Sequence, residues 1–180
     1  MFERLFGGLP ARPAQPVVLE EAEYEPAPVR FRPRLISQFV QDHVQLRAAM
    51  RALLDACRLR DEDAQIIGLR AVSAEFRRLS LAKSVQLYPY LRWGLENDRL
   101  ATIQFKAVHS EIQRTLEQAD AILCEYLQGP WLTAMRRRLA HDIARLAHLL
   151  AQAIRQEETS LFPLYLPPGQ YRHVRFVASH

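Results

Sequence analysis

Ile143-Ala-Arg-Leu-Ala-His-Leu-Leu-Ala-Gln-Ala-Ile-Arg-Gln-Glu-Glu-Thr-Ser-Leu161 is helical by its period. Ile143, Leu146, Leu150, Ala153, Glu157 and Leu161 recur at three- and four-residue steps, so they share one helix face. Glu157 stands on that same apolar face. A carboxylate there is costly to bury unless it is paired or holds a cation. Three other stretches repeat the pattern. Ile36, Phe39, Leu46, Met50 and Leu53 surround His43; Leu69, Val72, Phe76, Leu79 and Leu87 surround Lys83; Phe105, Ile112 and Leu116 surround His109. Four amphipathic helices bury such stripes against one another, which predicts that His43, Lys83, His109 and Glu157 converge in one interior.

Working outward, the breaks fall between these stretches. Helices are predicted over about 34–60, 62–88, 97–127 and 131–160, with a short extension over 91–96. Arg60-Asp61-Glu62-Asp63 marks the first turn, and Gln128-Gly129-Pro130 stops the third helix. Pro89 predicts a kink or break in the second helix. The fold class is all-α, an up-down-up-down four-helix bundle over 34–166. Residues 1–33 hold six of the eleven prolines and read as an extended arm. Phe2, Leu5, Phe6 and Leu9 give that arm one short apolar face. The tail, 167–180, alternates in residue type from 170 to 177 and predicts a short strand or an extended strap; it carries His173 and His180.

Composition narrows the function classes. The chain has 180 residues, 49% of them hydrophobic, with a formal net charge of +4. Residues 1–30 carry −2, so the remainder carries +6. That mild positive field favours anionic partners without singling one out. There is no glycine-rich phosphate loop, and the basic residues are not clustered for nucleic acid. The expected partner is a protein of unspecified identity, with no nucleic acid, and no oligomeric state follows. Cys57 and Cys124 form no CxxC and no metal spacing, which suits a reducing cytoplasm. The start, MFERLFGGL, lacks the long apolar run of a secretory signal, and no stretch approaches the roughly 20 apolar residues of a membrane span. Lysine occurs only twice, at 83 and 106. His141 and His148, seven apart, and Arg136-Arg137-Arg138 read as solvated faces. Tyr88, Tyr90, Trp93, Phe162 and Tyr165 are expected to seal one bundle end.

The second and fourth helices close on a shared pattern: Ser84-Val85-Gln86-Leu87-Tyr88-Pro89 and Glu158-Thr159-Ser160-Leu161-Phe162-Pro163. With Asp42-His43 at the matching level of the first helix, the chain over about 35–166 resembles the hemerythrin-like (HHE cation-binding) family. That family holds two irons in a four-helix bundle, with a His on the first and third helices and His-x-x-x-Glu on the second and fourth. Carried over on the two endings, the resemblance matches His43 to the first His, His109 to the third helix's His and Glu157 to the fourth helix's carboxylate. Leu79 stands where the second helix's His belongs, Lys83 where its Glu belongs, and Ala153 where the fourth helix's His belongs. The site is degenerate by this pattern.

The leading reading is a metal-free centre in which Lys83 pairs with Glu157, flanked by two histidines, with no cofactor. An ammonium donates no lone pair and repels a metal. The protein would then be a non-catalytic binding or regulatory module and not an enzyme. The alternative is a mononuclear iron or zinc site of His43, His109 and Glu157 that senses or reacts with a small oxidant, which requires Lys83 to turn away or serve as a neutral base. A two-metal centre would need substitutes such as Gln86, Glu111 or Glu158.

Overall fold

A computed structural model describes residues 30–173. Among them the secondary structure is helical, with no strand. Helix α1 (Leu35–Leu59) ends at Arg60, whose left-handed φ of 55° turns the following Asp61 N–H back to the Ala56 carbonyl at 3.1 Å. Asp61 then caps α2 (Glu62–Ala82), its carboxylate accepting from the Ala64 N–H at 3.0 Å, with Glu62 and Asp63 facing the positive end of the helix dipole. Further helices are α3 (Tyr88–Leu95), α4 (Arg99–Leu127) and α5 (Thr133–Gln156). Asp98 caps α4 through the Ala101 N–H at 2.9 Å. The third predicted helix therefore starts two residues later than its pattern suggested. The fourth starts at Thr133 because Trp131 turns back, donating its indole N–H to the Tyr126 carbonyl.

The four long helices pack as a helical bundle. α1 lies against α2 and α5, and α4 against α5 and α2. Gly68 lets α2 approach α1 closely, since a Cβ there would meet Leu53 at 3.1 Å. Leu53, Leu69, Val72, Ile112, Leu123, Ile143 and Leu146 are fully buried between them.

Pro89 does not break the second helix. The chain passes through it by one π-helical turn, Lys83–Leu87, and continues as α3. The fourth helix does the same after Gln156, with a π turn at Glu157–Leu161 and a 3-10 turn at Phe162–Leu164. In each case a proline follows the first residue of the π turn by six positions, Pro89 after Lys83 and Pro163 after Glu157. A proline has no N–H, and its ring crowds the carbonyl four residues back. The wider π turn accommodates this by sending the Tyr88 N–H to the Lys83 carbonyl and the Phe162 N–H to the Glu157 carbonyl.

One end of the bundle is aromatic. Phe31 stacks on Tyr165 at 5.2 Å, the Arg32 N–H donates to the Tyr165 hydroxyl at 2.8 Å, and the Tyr90 hydroxyl donates to the Leu166 carbonyl at 2.6 Å. Residues 31 and 32, on the arm side of the predicted boundary, are thus packed on the bundle. The tail is not a strand as far as it is described: Pro168–His173 coil as a 3-10 helix, and Tyr171 settles over Gly94, where a Cβ would run into its ring. Residues 1–29, with the Phe2, Leu5, Phe6 and Leu9 face, and residues 174–180 lie outside the described residues. No helix among the described residues is long and apolar enough to cross a membrane.

Candidate functional site

Three of the four polar seam residues meet in the bundle interior. His43 is 0% exposed, Lys83 4% and Glu157 1%. α1 supplies His43, and the two π turns supply the others, each as its first residue. The Lys83 ammonium donates to Glu157 Oε2. It also lies 3.0 Å from His43 Nε2, which is itself 3.1 Å from Glu157 Oε2. An ammonium has no lone pair, so its contact with Nε2 requires Nε2 to accept. The imidazole proton then belongs on Nδ1, which points at Glu158 Oε1, 2.8 Å away. On this assignment Nε2 and Glu157 Oε2 are two acceptors gathered on one ammonium rather than bonded to each other. The His43 ring is held flat against Phe162, with centroids 5.5 Å apart and planes 10° from parallel.

The rest of the centre completes this chain of donors and acceptors. The Tyr88 hydroxyl donates to Glu157 Oε1 at 3.1 Å, so both carboxylate oxygens are engaged. Arg47 Nη2 reaches both oxygens of Glu158 at 3.1 Å. Charges match one for one: Lys83 with Glu157 inside, Arg47 with Glu158 nearer the surface. Burial alone would raise the Glu157 carboxyl, but the Lys83 charge and the close contacts of Lys83 and His43 together outweigh it and hold the group below its ordinary range. Burial likewise pushes Glu158 up, and the hydrogen bonds from His43 and Arg47 bring it down further. Lys83 moves the other way from a surface lysine. Burial lowers its pKa against the opposing pull of Glu157. Burial raises that of Tyr88, with the Glu157 charge adding to the effect.

His109 does not join them. It is only partly buried on α4, and its Nε2 accepts from the Gln113 side-chain amide at 3.3 Å. Its ring stacks on Phe105 and meets Tyr88 edge-on at 4.3 Å. Tyr88, not His109, therefore supplies the neighbouring hydrogen bond to Glu157. Burial and the nearby Arg92 lower the His109 pKa. Contrary to the expected convergence of all four residues, three meet and His109 stays at the margin with Gln113. Leu79 and Ala153 are buried as ordinary core.

The substitute ligands scatter. Gln86 accepts from Arg32 at 2.6 Å, and Glu111 from Gln156 at 2.8 Å. Glu158 binds His43, but on the ring nitrogen opposite Glu157, so the two carboxylates do not aim at one point. Among the described residues no group of three or more His, Cys, Asp or Glu side chains has the arrangement of a metal site.

Several roles escaped the sequence reading. Tyr88 and Phe162, expected at the bundle end, touch the centre. Their signal was present, because each follows a seam residue by five positions and precedes a proline. The roles of Glu158 and Arg47 had no such signal. Elsewhere the expected surface residues behave as surface. His141 and His148 are exposed, and Arg136 and Arg138 pair with Glu62 and Glu125. Cys57 and Cys124 are free, partly buried thiols.

Compared with protein-family models, curated proteins and solved structures, the chain matches none.

Proposed function

We propose that this chain is a hemerythrin-like, up-down-up-down bundle whose centre works without metal, and that it acts as a non-catalytic binding or regulatory module for a protein partner. One observation carries the reading: Lys83 donates to Glu157 from the position that mirrors it, each residue opening a π turn six before a proline. A fixed ammonium there supplies the positive charge that a buried carboxylate requires. It offers no lone pair to a metal and repels one electrostatically. The donor set supports the same conclusion, since His109 is engaged by Gln113 and the matching second- and fourth-helix positions are Leu79 and Ala153. These residues do not fit a di-iron centre, and no chemical step is assigned to one.

The test is elemental analysis of purified, untagged, full-length protein beside a Lys83→Glu variant. Neither iron nor zinc is expected in stoichiometric amount in the wild type. About one iron or zinc per chain, lost on His43→Ala or His109→Ala, would replace this reading with the mononuclear one.

A further inference from the structure

A groove runs between α1 and α5, lined by residues of those two helices alone. Leu46, Met50 and Leu54 form one wall, and Ala147 and Ala151 leave the other wall low. The groove is apolar apart from two side chains, and both are arginines, Arg47 and Arg51. Arg47 is committed to Glu158, while Arg51 is exposed and has no ion-pair partner among the described residues. An occupant suited to this surface combines apolar side chains with closely spaced acids.

The chain carries such a segment just upstream of its first described residue. Val17-Val18-Leu19-Glu20-Glu21-Ala22-Glu23-Tyr24-Glu25 contains four glutamates in six positions behind three apolar residues. The distances agree. Met50 is 15 residues into the bundle from Leu35 and so lies about 22 Å along α1 at ~1.5 Å per residue. Pro26 and Pro28 favour an extended connection, in which each residue spans about 3.1 Å. Measured back from Arg30, Glu25 then reaches roughly 16 Å and Leu19 roughly 34 Å, which brackets the groove.

We infer that residues 18–25 dock in cis along the α1–α5 groove, with Leu19 and Ala22 or Tyr24 against Met50 and Leu54, and the glutamates against Arg51. The groove is then a binding surface for an acidic, apolar segment, and this chain supplies its first occupant. The inference stands apart from the metal-free reading, since a metal in the centre would leave the groove unchanged.

Paramagnetic relaxation in the full chain tests it. A nitroxide is attached at Ala22→Cys in a Cys57→Ala, Cys124→Ala background, whose amide spectrum reports whether the fold is kept. Broadening is expected at the Met50, Leu54, Ala147 and Ala151 amides. It should fall several-fold with Arg51→Glu and in 0.5 M salt, as screening of exposed charges requires. As a second readout that leaves both cysteines in place, Arg51→Glu in the otherwise wild-type chain should shift amides of the groove and of residues 18–25 together. Broadening on another face, or none, overturns the inference. So does broadening that appears only between chains when labelled and isotope-enriched molecules are mixed.

Discussion

Glu157→Leu would leave the Lys83 ammonium in the interior without its anion. Stranding one member of a buried pair costs about 3–5 kcal/mol. Lys83→Met should cost a similar amount, because Glu157 would keep only the Tyr88 hydroxyl as a strong donor. Removing both charges, as Lys83→Met with Glu157→Leu, should return most of that loss, since a well-packed apolar pair is often as stable as an ionic one. Urea unfolding of the four proteins in a double-mutant cycle measures this; losses that simply add would mean the two side chains are uncoupled. At this scale the sequence was legible where period and polarity conflict. A lysine and a glutamate on apolar seams mark themselves, and His43 does so too. His109 is the exception: its neighbours at i−4 and i+3 are apolar, but a histidine at the margin of a seam shows the same spacing as one at its middle. What separates the two cases is the rotation of α4 about its axis, which depends on packing against α5 and α2 rather than on the local pattern.

Arg60 is an element-scale feature. It ends α1 in the left-handed region, which glycine adopts without steric cost and other residues adopt at about 1 kcal/mol or more. Its side chain makes no hydrogen bond with the described residues that would offset this. Arg60→Gly should therefore stabilise the protein by up to about 1 kcal/mol, read as a higher urea midpoint at unchanged slope. A lower midpoint would show that the guanidinium has a structural role. The element boundaries were largely legible because their signals are local: Asp61 and Asp98 are cap residues, and Gly129-Pro130 is a stop. The π turns were not. Proline chemistry alone permits a break, a kink or a π turn, and the choice depends on whether continued packing beyond the proline holds the chain in line. Here Leu87, Tyr90, Leu91 and Leu95 bury completely or nearly so, which favours continuation.

For the whole molecule, the centre sets how stability follows pH. Glu157 and Glu158 both have folded pKa values below their ordinary 4.5, so the unfolded chain takes up their protons first. Their contribution is complete above about pH 4.5 and is lost as pH falls through the folded values. Lys83 has a folded pKa below its ordinary 10.5, so the folded chain releases that proton first, and between the two values stability gains from rising pH. Unfolding midpoints across pH should fall on the acid side less steeply in Glu157→Gln than in the wild type, and an unchanged acid limb would remove Glu157 from this role. The measurement that reaches the centre most directly exploits the chain's two lysines, Lys83 and Lys106. Nitrogen-15 and carbon-13 labelling of lysine side chains yields only two Nζ signals in the full-length protein. One should be an exchange-protected ammonium that loses its proton below pH 10.5 and shifts strongly in Glu157→Gln, while the other, from exposed Lys106, is unprotected from exchange and unmoved by Glu157→Gln. Two solvent-exchanging signals indifferent to Glu157→Gln would contradict a lysine–carboxylate centre.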